Sequence, residues 1–222
     1  MEKYQITRCE KKRVITHHVQ TSGGPQKFLY GDVRGGVSWP TAANAAPSFF
    51  IIIAQSFDQI DGLGGFVELA EFQSEDVSPE KFYNKMTDYC TMYSINEIFC
   101  DVSEYKASYV DGFNTFSSKI KGNLNLVQAP YVENFSYSVG ILRDYWKKGI
   151  LNFLKGGKLT DQLRSLSESD LNEKTLEGTL YAVNAARFAI SGYHKFPVYS
   201  LSDYQPAGMW RNIPAHDAWM RS

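Results

Sequence analysis

A chain of 222 residues, 43% hydrophobic and 21% charged, has enough apolar content for one sizeable core, which excludes a disordered or collagen-like molecule. The formal net charge of -1 is not the strongly basic balance common in nucleic-acid binders, although basic residues can still gather on one face. Three cysteines without a CxxC pair, Cys9, Cys90 and Cys100, exclude a disulfide framework and a thiolate zinc site and fit a reducing cytosol.

Residues 1–25 are polar, lack an apolar signal core and end in the turn-rich TSGGPQ, so they read as an N-terminal arm. His17 and His18 fall in it; as neighbours they point to opposite faces of a strand and do not form a chelating pair. KFLYGDVRGG reads as a first strand that ends at Asp32 and a glycine turn. SFFIIIAQSF, β-branched and aromatic, reads as a second strand; at this length it is far too short to span a membrane. FVELAEFQ reads as a third strand, joined to the second by the glycine-rich DQIDGLGG as a hairpin. Its apolar residues do not alternate cleanly, and Glu68 and Glu71, three apart, fall on opposite strand faces.

SPEKFYNKMTDYCTMY carries the signals of a helix. Ser78 can cap it, Pro79 suits the first helical position, and Phe82, Met86, Tyr89 and Tyr93 recur at helical spacing. NEIFCDVS reads as a fourth strand ending in Asp101, EYKASYVDGFNTFSSKI as a helix and NLNLVQAPY as a fifth strand. FSYSVGILRDYWKKGIL, LTDQLRSLS and TLEGTLYAVNAARFAISGYHKF read as three further helices, the last ended by Gly192 and Pro197. Cys90 and Cys100 sit in apolar runs and read as small core residues. The tail 197–222 has no clear period.

Three strands in a meander, then alternating helices and strands, then helices, predict a mixed five-stranded sheet flanked by helices over residues 26–196. Asp32 and Asp101, each at a strand end, become neighbours if the first and fourth strands pair. Two carboxylates there can bridge hard divalent cations, and two such ions ~4 Å apart can drive phosphodiester cleavage. An Asp at a strand end also caps turns, so neither residue alone identifies a site. Ser38 or Ser56 with His194 lacks the GxSxG context of a hydrolase, and His194 reads as a surface residue after a helix end.

The stretch AVNAARFAI resembles the AxDAxRYAx helix near the end of the nuclease domain of tailed-phage terminase large subunits. YSINEIFCDVSEYKASYVDGF is similar to that family's strand, central acid and following helix. ILRDYWKKGILNFLKGGKLTDQLRSL is similar to its segment of helix, short extended piece and L-x-x-Q-L helix. The resemblance covers about residues 27–195. It implies an α/β ribonuclease H-like fold and a metal-dependent endonuclease acting on double-stranded DNA in the cytoplasm of a bacterial host. It implies Asp32, Asp101 and Asn184 as catalytic and metal-binding residues, with two Mg²⁺ or Mn²⁺ ions.

The family's third acid is Asn184 here, so the second ion is expected to bind weakly. Glu177, two turns earlier, is a long reach of about 10 Å along the axis from substituting for the lost carboxylate and reads rather as a solvated residue; Tyr181, which could hydrogen-bond a ligand, reads rather as a packing residue. No GxxxxGK[ST] occurs, so a packaging motor would need a separate ATPase or other packaging proteins; the initiating Met, arm and tail favour a separate gene product. The alternatives are a non-catalytic module of the same fold that binds DNA or protein in phage assembly, and a transposase- or resolvase-like nuclease.

Overall fold

A computed structural model of the chain describes residues 5–9, 14–21, 24–40, 46–60, 63–74, 78–119, 124–147, 151–152, 154 and 156–193. The tail 197–222 and His194 lie outside the described residues. The strands are β1 (Gln5–Cys9), β2 (Val14–Thr21), β3 (Gly24–Ser38), β4 (Phe49–Ile60), β5 (Leu63–Gln73), β6 (Glu97–Cys100), β7 (Asn125–Gln128) and β8 (Leu151–Asn152). The helices are α1 (Pro79–Tyr93), α2 (Ala107–Ser117), α3 (Phe135–Lys147), α4 (Lys158–Ser165), α5 (Glu173–Gly178) and α6 (Tyr181–Ser191).

The sequence of β4 explains why helices lie on both sides of the sheet. Side chains alternate along a strand, and here both sets are apolar. Phe50, Ile52 and Ala54 enter one core with Phe82, Met86 and Cys90 of α1 and Phe113 of α2. Phe49, Ile51 and Ile53 enter a second core with Leu142, Leu159, Leu176 and the apolar residues of α6. Cys90 and Cys100 are buried free thiols, and burial pushes both up to about 12, so they pack as small apolar groups.

Strands β3, β4 and β5 form an antiparallel meander, and β6 then pairs parallel to β3 and β7 parallel to β6. The resulting order β5-β4-β3-β6-β7, with helices on both faces, is that of the ribonuclease H-like fold. The sheet is larger than the five strands expected, with eight among the described residues. β8 adds to the far edge of β5 in parallel. Residues 1–25, expected to be an arm, contribute β1 and β2, which pair antiparallel with each other and, through β2, with the first half of β3. Their polar composition hid two strands held in the sheet by backbone pairing, β1 to β2 and β2 to β3. Among the described residues no helix is long and apolar enough to cross a membrane.

Helix α1 forms as its sequence dictates: the Ser78 hydroxyl accepts from the Lys81 amide, Pro79 opens the helix, and Ser94 closes it in the left-handed region at φ 56°. The segment expected as one last helix is two. α5 ends at Gly178, the backbone turns through Thr179 and Leu180, and α6 begins at Tyr181. A new helix start exposes backbone amides, and Gln162 of α4 takes two of them, its Oε1 accepting from Ala182 at 2.7 Å and Val183 at 3.2 Å. All of α6 is buried, because it lies on β3 and β4 and is covered by α3, α4 and α5. It sits so close to β3 that a Cβ on Gly36 would stand 2.2 Å from the Ala185 carbonyl oxygen. Gly36 is therefore what allows the helix to reach the sheet.

A second local irregularity corrects the reading of β5. Ile52 pairs with Ala70 but Ile53 with Glu68, so Leu69 is an extra, bulged residue. The bulge puts Leu69 and Ala70 in the same core and returns Glu68 and Glu71 to one face, where the two carboxyl groups meet. Glu71 then accepts from the Lys158 and Leu159 amides at the start of α4, and Glu68 Oε2 accepts from the Leu154 amide at 3.1 Å.

Candidate metal centre

The parallel pairing of β3 and β6 decides which side chains can meet. Gly35 is level with Ile98 and Gly36 with Phe99. Two residues further on each strand, Ser38 comes level with Asp101. Asp32 does not: it lies six residues before Ser38 on the same strand, roughly 20 Å away along it. The expectation that Asp32 and Asp101 end neighbouring strands thus holds for the strands and fails for Asp32. The chain does not turn at Gly35-Gly36 but runs on to Ser38, because the glycines are needed for the approach of α6 and Phe50. At Asp32 the pairing with β4 shifts between Gly31 and Val33, which marks a bulge.

Ser38 is buried and accepts from the Asn184 side-chain amide at 2.9 Å. The other end of Asn184, Oδ1, accepts from Arg187 Nε at 2.6 Å. Arg187 lies one turn further along α6 and is itself buried; its remaining N–H groups donate to the Tyr131 and Val132 carbonyls and to the Ser138 hydroxyl. Burial pushes the guanidinium down, to about 9, while Asp101, Glu177 and Glu173 act to hold its charge. Asn184 therefore faces the end of β3, with both of its polar atoms committed to protein partners.

Acidic groups gather instead around Asp101. Asp101 is buried just past the end of β6, and its Oδ1 accepts from the Ser103 amide at 2.8 Å, which fixes the carboxylate in a tight turn. Glu177, 4% exposed, was expected to be solvated. The break between α5 and α6 re-aims α5, and Glu177 with it, toward the end of β6. Oxygen atoms of Asp101, Glu173 and Glu177 all lie within 4.8 Å of one another, with Glu173 on the exposed side.

Lys106, in a short 3-10 turn (Glu104–Lys106) after β6, completes the group. It is 1% exposed, donates to Glu177 Oε1 at 2.6 Å and to the Trp39 carbonyl at 3.2 Å. The second oxygen, Glu177 Oε2, is buried without a hydrogen-bond partner. Burial raises the Glu177 carboxyl above the usual range, opposed by the Lys106 ammonium. Tyr181 packs on Phe49 and donates to Gln73, the packing role expected of it.

Reasoning from sequence missed Ser38, Lys106 and Glu173 at this site and set Glu177 aside as solvated. The available signal for Glu177 was Gly178 followed by Thr179, a pair unfavourable inside a helix.

The strand order, with an acidic cluster from α5 and the end of β6, defines a ribonuclease H-like α/β fold. The structure is similar to the nuclease domain of the large terminase of bacteriophage SPP1, a crystal structure with bound Mn, at 13% identity and a TM-score of 0.45 over 73% of this chain and 87% of that one. No protein-family model and no curated protein matches the sequence.

Proposed function

We propose that the chain is a terminase-type, metal-dependent DNA endonuclease domain, and that Asp101, Glu173 and Glu177 hold its divalent cation, Mg²⁺ or Mn²⁺. The observation that carries this reading is the convergence of three carboxylates within 4.8 Å, with one buried oxygen, Glu177 Oε2, left unpartnered. A buried acceptor without a donor is costly, and a cation relieves that cost. An all-oxygen donor set suits hard ions such as Mg²⁺ and Mn²⁺. Bound there, such an ion supplies an activated water and stabilises charge on a scissile phosphate.

The chain's own residues prepare the site. The Ser103 amide orients Asp101, and Lys106 holds Glu177 against the end of β6. Glu173, exposed, lies on the side open to a nucleic-acid substrate. Of the residues expected from sequence, Asp101 keeps its role, while Glu173 and Glu177 stand in place of Asp32 and Asn184. The substrate in this reading is double-stranded DNA, acted on in the cytoplasm of a bacterial host together with a separate ATPase and other packaging proteins.

The test is plasmid nicking across a Mn²⁺ titration with wild type, Asp101→Asn and Glu177→Gln. Cleavage by wild type that falls about 100-fold or more in both variants supports the reading, in line with the loss of a metal ligand. Cleavage unaffected by either variant sinks it. A second reading, a non-catalytic module that binds DNA or protein, is favoured by the neutral Ser38–Asn184 pair at the end of β3. It predicts DNA or partner binding with no cleavage at any Mn²⁺ concentration.

A further inference from the structure

We infer that the Lys106 ammonium takes the place of a second cation, so that this site accepts one divalent ion rather than two. The inference rests on the metal-site reading above and deepens it. In a two-ion site a carboxylate commonly bridges the ions, one per oxygen, about 4 Å apart. Glu177 is divided in that way: Oε1 is held by the Lys106 ammonium at 2.6 Å, and Oε2 is buried without a partner. Lys106 is 1% exposed and, among the described residues, its other hydrogen-bond partner is the Trp39 carbonyl, on the β3 side of the site. That is the side from which a second ion would draw its ligands.

Among the described residues, the Glu177 Oε1 and the Trp39 carbonyl on that side are both held by Lys106, and no further carboxylate stands beside them. Ser38, level with Asp101, brings a neutral hydroxyl already hydrogen-bonded to Asn184, and Asn184 is tied in turn to Arg187. Charge gives the same answer. Asp101, Glu173 and Glu177 carry three negative charges; Lys106 and Arg187 carry two positive ones. One divalent ion nearly balances the remainder, whereas two would leave a site at the mouth of a sheet with three excess positive charges, in surroundings that screen poorly.

The experiment counts Mn²⁺ bound to the whole chain by electron paramagnetic resonance and calorimetry, for wild type, Lys106→Met and Lys106→Gln, with a thermal melt of each in chelator and in Mn²⁺. The expected result is one ion on wild type and a second ion on both variants, with a larger rise of melting temperature on adding Mn²⁺. Should one variant fail to fold in chelator, recovery of its fold by Mn²⁺ is the same result read as stability. Two ions on wild type, or one ion on both folded variants, overturns the inference and leaves the metal site standing. No ion on wild type or on either folded variant overturns the metal-site reading itself. An ion on the variants but none on wild type overturns the inference that the wild-type site accepts one ion and favours the non-catalytic module.

Discussion

Asn184 on α6 and Ser38 at the end of β3 are hydrogen-bonded to each other at 2.9 Å across 146 residues of chain. The bond joins the last helix to the centre of the sheet, and Arg187 extends it to the carbonyls of Tyr131 and Val132. The network is buried, so each member is costly to leave unpaired.

Replacing Asn184 with Leu removes the acceptor of a charged donor and the donor to Ser38 together. We expect a loss of about 1–3 kcal/mol in urea unfolding, the range for stranding buried polar groups. Asn184→Asp keeps an acceptor for Arg187 and lets the Ser38 hydroxyl donate, so its loss should be smaller. Equal losses in the two variants would show that the network contributes little.

Gly36→Ala places a methyl group 2.2 Å from the Ala185 carbonyl oxygen and 2.7 Å from the Ala189 amide nitrogen. Both are backbone atoms of a buried helix, which cannot step aside as a side chain can. The expected outcome is a destabilisation of about 1–3 kcal/mol or more, or failure to fold. A melt unchanged from wild type would mean that α6 does not lie against β3 at this distance.

The Glu68 carboxyl is buried beside Glu71, and these two effects raise it from 4.5 to about 9. Between those values the folded chain keeps a proton that the unfolded chain gives up. Stability should therefore fall as pH rises from about 5 toward about 9, by at most about 1.4 kcal/mol per pH unit from this group. Glu68→Gln keeps a neutral donor beside Glu71 and should flatten the dependence. The check is urea unfolding of both proteins across that range; parallel pH profiles would rule out a protonated Glu68.

Much of this architecture was legible in the sequence, because it depends on local signals. The double-faced apolar run of β4, the Ser78-Pro79 cap of α1 and the acid following β6 each declare themselves within a few residues. The features that misled depend on distant partners. GDVRGG looks like a strand ending in a glycine turn, yet Gly36 serves an approach by a helix about 150 residues further along, and Ser38 rather than Asp32 arrives beside Asp101. TLEGTLYAV keeps helical spacing through a break that is stabilised by Gln162 of α4, so Glu177 appeared to point at solvent. The bulge at Leu69 was visible only as failed alternation, and it reversed the relation of Glu68 to Glu71.

The proposed metal site is built on Asp101 and Glu177 and not on Asp32. The most direct measurement is Mn²⁺ affinity, read by electron paramagnetic resonance, for Asp101→Asn, Glu177→Gln and Asp32→Asn beside wild type. We predict that the first two lose at least about tenfold in affinity, as the loss of a carboxylate ligand requires, and that Asp32→Asn binds as wild type does. Loss of binding in Asp32→Asn, with Asp101→Asn and Glu177→Gln unaffected, would contradict the account.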